Sequence, residues 1–109
     1  MSREAMFAKL DAIESLQVGI ERFQTASARD AGPRYPYGTA ARAMLCMKRE
    51  LELGAEAWAA LPRLERRQCN ELYRWVRSRG TRLRKMSDEV LSSTERDALE
   101  GAMNRWSDK

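Results

Sequence analysis

From Met6 to Phe23 the large apolar residues recur at steps of three and four: Met6, Leu10, Ile13, Leu16, Ile20 and Phe23. At about 100° per residue these steps gather on one side of an α-helix, whereas a strand would scatter them over both faces. Alternating apolar runs, the mark of a half-buried strand, are nearly absent from the rest of the chain. The periodicity therefore restricts the chain to an all-α fold, with a first helix expected from about Arg3 to Ser27. Gly19 falls inside that helix at some cost in propensity.

The segment SARDAGPRYPYGT follows, where Gly32, Pro33, Pro36 and Gly38 predict the one long loop. Thr39 is placed to cap a second helix through about Leu61, on which Met44, Met47, Leu51, Ala55 and Trp58 share a face and which Gly54 can kink or divide. Pro62 suits the first turn of a third helix and Gly80 its C-terminal stop. The basic stretch TRLRKM reads as a link to a short helical turn near Ser87 to Leu91. Ser92 and Glu95 have capping-box spacing at the head of a last helix that runs to about Trp106.

The expectation is one compact bundle of about four helices spanning residues 1–109. With 109 residues, it can bury about two-thirds of its unfolded surface without staples. Leu10, Ile13, Leu51, Leu72, Val76 and Leu99 are expected in its core. The methionines and Trp58, Trp75 and Trp106 belong there too, and exposure of Met44 or Met47 would instead mark an adaptable surface.

The net charge of +4 is unevenly placed. Between Arg63 and Lys85 there are nine bases and two acids, an excess of seven, which leaves the remainder at minus three. On the expected third helix Arg63, Arg66, Arg67, Arg74 and Arg77 fall within an arc of roughly 100°, opposite the mean direction of Leu61, Leu64, Leu72, Trp75 and Val76. Neighbouring like charges on a helix are mildly destabilising, and cations in the first turns oppose the helix dipole. A stripe kept at that cost is a candidate docking face for an acidic or phosphate-rich partner. The competing explanation is composition, since arginine outnumbers lysine sixteen to four over the whole chain. A second candidate contact is the loop sequence Arg34-Tyr35-Pro36-Tyr37-Gly38, because Tyr35 and Tyr37 on a proline-stiffened loop are of the type enriched at binding hot spots. The other role open to the two rings is to lid the core.

Catalytic chemistry has little to stand on. The chain has no histidine, and Cys46 and Cys69 lack CxxC spacing, which removes most zinc and redox sites. It also lacks a GxSxG elbow, an HExxH helix and a glycine-rich phosphate loop. No enzyme activity, catalytic residue, metal or cofactor is expected. Each thiol is expected to be a small buried filler, with a disulfide disfavoured in a reducing compartment. No apolar run approaches the roughly 18 residues of a membrane span, and the N-terminus does not read as a secretion signal, so a cytoplasmic protein with no membrane partner is expected.

These features lead to a small, non-enzymatic helical binding protein that acts stoichiometrically on an acidic protein surface or a ribonucleoprotein. Its expected contacts are Arg63, Arg66, Arg67, Arg74 and Arg77, with Arg34, Tyr35 and Tyr37. The alternative partner is nucleic acid itself, bound largely without sequence preference through phosphates by the same arginines with Arg79, Arg82, Arg84 and Lys85. A helix-turn-helix cannot be laid on the segment after Gly80, which has too few core positions. In size and lack of motifs the chain resembles inhibitors and adaptors encoded by phages and mobile elements, the anti-CRISPR proteins among them. That resemblance is one of style, carried by no shared motif.

Overall fold

The computed structural model describes residues 2–29 and 36–107 and contains six helices: α1 (Arg3–Arg29), α2 (Tyr37–Leu53), α3 (Ala55–Ala59), α4 (Arg63–Ser78), α5 (Gly80–Val90) and α6 (Ser93–Ser107). No strand occurs among the described residues. The all-α class stands, with six helices where the sequence suggests about four. Two local causes account for the difference. Gly54 divides the expected second helix by taking φ +84° and ψ 168°, a conformation cheap only for glycine. The stretch TRLRKM is helical rather than a link, because Leu83, Met86 and Ser87 bury one side of α5. Gly80 accordingly opens α5 instead of closing α4, whose C-cap is Arg79. Thr39 is not the cap of α2, which begins two residues earlier behind Pro36.

The last helix starts as its sequence predicts. The Ser92 N–H donates to Glu95 Oε1 at 3.0 Å and the Glu95 N–H donates to Ser92 Oγ at 3.1 Å, a reciprocal capping box. The backbone bond to Ser92 holds the Glu95 carboxyl below the ordinary carboxylate range, helped by Arg22 reaching across from α1. A carboxylate with a depressed folded pKa stabilises the fold above the usual titration range and loses that contribution as pH falls through the folded value. Wild type and Glu95→Gln are therefore expected to differ in thermal midpoint at pH 7 and by less at an acidic pH below the ordinary carboxylate range. A constant difference at both pH values would show that the carboxylate's charge is irrelevant.

Helix α1 packs antiparallel against α2, where Lys48 Nζ donates to Gln17 Oε1 at 2.8 Å, and against α6, where Arg22 meets Glu95 at 3.1 Å. Gly19 lies where the three helices come closest. A Cβ there would sit 3.1 Å from both Leu99 methyls and 3.1 Å from Met44 Sδ. The propensity lost at this glycine is what allows the close approach. A β-branched side chain has no room, so Gly19→Val is expected to cost about 2–3 kcal/mol through overpacking. A denaturation midpoint equal to wild type would refute it.

Leu16, Phe23, Met44, Met47 and Met86 are the largest fully buried side chains, and Ala40, Ala41 and Ala43 line the α2 side of the core. Leu51, Val76 and Leu99 are buried as expected, while Ile13 and Leu72 pack against the core in part. Leu10 is not in the core: it is 52% exposed. Trp106 is buried at the end of α6, whereas Trp58 and Trp75 are half-buried. Met44 and Met47 have no exposed surface, so neither forms part of an adaptable binding surface.

Cys46 and Cys69 are bonded to each other as a disulfide that ties α2 to α4, with Cα atoms 5.7 Å apart. The sequence offers no spacing signal for this pair, and the expectation of two separate thiols is corrected. In the chain-entropy account a cross-link across 23 residues contributes about 3 kcal/mol. Arg49 to Glu65 at 3.0 Å and the Tyr73 hydroxyl on Glu50 Oε1 at 3.3 Å join the same two helices independently of the sulfurs.

Candidate functional site

Helix α4 presents its arginines beside the core rather than opposite it. Its buried residues are Cys69, Tyr73 and Val76, at steps of four and three. That face is turned roughly a quarter of a turn toward the stripe from the direction marked by Leu61, Leu64, Leu72, Trp75 and Val76. Leu64 accordingly stands 66% exposed. Tyr73 fills the boundary, and the sequence reading missed it, although its spacing from Cys69 and Val76 is a core spacing.

The result is an open cleft of about 500 Å³ lined by all five arginines of the stripe together with Asn70 and Tyr73. From Arg63 to Arg77 the helix rises about 21 Å, so the cations form a row rather than a point. They are not equivalent. Arg66 is half-buried and its Nε donates to the Leu61 carbonyl at 3.2 Å. Arg77 is half-buried and its Nη1 donates to the Trp106 carbonyl at 3.3 Å, a favourable place for a cation near the C-terminal end of α6. Arg67 makes an exposed i,i+4 contact with Glu71 at 3.6 Å, of the kind that contributes little. Arg63 and Arg74 have no ion-pair or hydrogen-bond partner among the described residues. Two arginines thus hold the wall and three face water with little to neutralise them.

The floor is polar and fixed. Burial holds the Tyr73 hydroxyl protonated far above the ordinary phenol range, reinforced by the charge of the Glu50 carboxylate to which it donates. Beside it the buried indole N–H of Trp106 has no hydrogen-bond partner among the described residues. A smaller recess lined by Glu50, Asn70, Tyr73, Arg77, Arg105 and Trp106 continues from the cleft at this point. The arrangement can hold an anionic group against a row of guanidinium forks. It offers no nucleophile with a base beside it. No group of three or more His, Cys, Asp or Glu among the described residues is placed to hold a metal ion.

The other cations differ in what they touch. Arg84 Nε lies 3.5 Å from Glu100 on α6, and the Arg79 guanidinium sits 5.9 Å from the Trp75 ring centroid, a ring that is not part of the cleft wall. Arg82 and Lys85 are exposed on α5. The loop candidates separate as well. Arg34 and Tyr35 lie outside the described residues. Tyr37 is only 4% exposed, packs edge-on to Phe23 with centroids 5.5 Å apart, and donates its hydroxyl to Glu89 Oε2 at 2.9 Å. It takes the second of the two roles open to it, inside the core.

Among the described residues no helix is long and apolar enough to cross a membrane. Compared with protein-family models, curated proteins and solved structures, the chain shows no match, so the site is read from its geometry alone.

Proposed function

We propose that this protein is a non-enzymatic binding protein that docks the arginine cleft of α4 onto an acidic protein surface or an acidic face of a ribonucleoprotein. The observation that carries the reading is the row of five arginines along one wall, of which Arg63 and Arg74 are unpaired among the described residues and Arg67 only weakly paired. A cleft with cations in a row and a fixed polar floor fits carboxylates on a folded partner. A nucleic-acid track calls for cations spread over a longer path, which the exposed Arg79, Arg82, Arg84 and Lys85 would extend beyond the cleft, so that alternative is left to the test. An inhibitor is one form of this reading, and its mark is loss of the partner's activity at one-to-one stoichiometry.

The proposal carries cytoplasmic residence with it. The Cys46–Cys69 disulfide weighs against that residence, since a reducing cytoplasm disfavours such bonds, and recovery of the bond in protein from its native cells would move the protein to an oxidising compartment.

The test is a pulldown with the intact chain from the cells in which the gene acts, at moderate salt. One stable partner at fixed stoichiometry is the expected result. Retention of generic DNA or RNA instead, lost steeply as salt rises, would replace this reading with direct nucleic-acid binding.

A further inference from the structure

The N-terminal end of α1 stands clear of the bundle. Its 27 residues rise about 40 Å, whereas the 17 of α2 and 15 of α6 rise about 25 and 22 Å. With Gln17 level with Lys48 and Arg22 level with Glu95, the antiparallel partners run out near Ala12 and Leu10. Residues 2–8 are all exposed, as are Leu10 and Asp11. This stretch nevertheless carries three large apolar side chains, Met6 at 48%, Phe7 at 54% and Leu10 at 52% exposure. So short a helical segment has little stability without packing, and an apolar stripe on it marks a contact surface.

The charges around the stripe select its occupant. Arg3, Phe7, Leu10 and Glu14 lie within an arc of about 60° on the helix, and their spacing of four, three and four reads the same from either end. One end is basic, the other acidic, and the middle apolar. We propose that this stripe pairs antiparallel with the same stripe of a second copy of the chain, forming a two-fold symmetric dimer. About the two-fold axis Phe7 faces Leu10 of the second copy and Arg3 faces Glu14 of the second copy, each contact made twice. Parallel pairing would set Arg3 against Arg3 and Glu14 against Glu14. With one charge of each sign, the four residues favour neither an acidic nor a basic foreign surface, and the antiparallel self-pairing satisfies both.

Phe7 and Leu10 supply the affinity, because exposed ion pairs contribute little, and the charges set the direction. Two short helical segments bury less than a standard interface, so the dimer dissociates on dilution. The stripe and the arginine cleft lie on different helices, and either assignment can fail without the other.

Sedimentation velocity of the intact chain from micromolar to near-millimolar concentration tests the pairing. The mass is expected to rise from one chain to two. Phe7→Asp with Leu10→Asp, both at exposed positions, is expected to stay at one chain with an unchanged helical spectrum. Arg3→Glu alone and Glu14→Arg alone are each expected to weaken the dimer about tenfold or more. An equimolar mixture of those two variants is expected to recover it, since every facing pair is again of opposite sign. A single-chain mass at all concentrations, a dimer indifferent to the Phe7 and Leu10 changes, or a mixture no better than its components would each overturn the proposal. A monomeric wild type that retains a foreign protein through Phe7 would give the face to that protein instead.

Discussion

Replacing Tyr37 with serine is expected to lower folding stability by about 3–5 kcal/mol, the range for removing a large aromatic side chain from a core. The ring is the edge-on neighbour of Phe23, itself fully buried, and it seals the end of the core where α2 begins behind Pro36. Little can collapse into the space it would leave, because Phe23 is held from α1 and Ala40 and Ala41 beside it are already small. The hydroxyl is the lesser part. Tyr37→Phe removes the bond to Glu89, whose carboxylate is exposed and rehydrates, so a loss of about 1 kcal/mol is expected. Urea midpoints of the two variants and wild type, with unchanged slopes, make the comparison. A serine variant within about 1 kcal/mol of wild type would place the ring outside the core and return it to consideration as a partner contact.

The second large effect is on binding. Reversing Arg63, Arg67 and Arg74 to glutamate is expected to weaken affinity for the pulled-down partner by about 2–5 kcal/mol where the contacts are desolvated, and by less at a wet rim. These three are chosen because the fold does not depend on them. Arg63 and Arg74 have no partner among the described residues and Arg67 only an exposed contact. Arg66 and Arg77 each donate to a backbone carbonyl, at Leu61 and Trp106, and reversing them would mix loss of docking with loss of packing. An acid at position 63 also suits the first turn of α4, so the triple variant should remain helical. Lysine at the same three positions separates charge from geometry: a surface that needs only positive potential tolerates it, whereas forked recognition of carboxylates does not. Equal affinity of wild type and a folded glutamate variant would reduce the stripe to a solvated face.

How much of this was legible in the sequence depends on the range of the interaction involved. The apolar steps of three and four in α1, the Ser92–Glu95 capping box and the break at Gly54 are local, since each depends on residues within one or two turns and on backbone chemistry that no distant contact alters. The arginine stripe is local in the same sense, and all five of its members do line one cleft. Which side of α4 turns inward is not local. Leu64 and Leu72 sit on the same broad apolar side by spacing, yet Leu64 is exposed and Leu72 half-buried, because α2 and α6 meet α4 at Cys69 and Tyr73. Leu10 shares its periodicity with Leu16, but one is exposed and the other buried. Leu10 lies about 120° around α1 from Leu16, on the side that carries the exposed Glu14 and Glu21, so which edge of the apolar stripe faces the core was set by where α2 and α6 dock.

The same holds for the joining of Cys46 to Cys69, for Tyr37 reaching Glu89 across 52 residues and for the anchoring of Arg77 on Trp106. Sequence by itself determined the all-α class, the Ser92–Glu95 cap and the positive charge on α4, but not α5 or the start of α2. Tertiary structure decided which residues those helices cover, because burial is a property of pairs of surfaces, and one surface alone shows only that it is apolar.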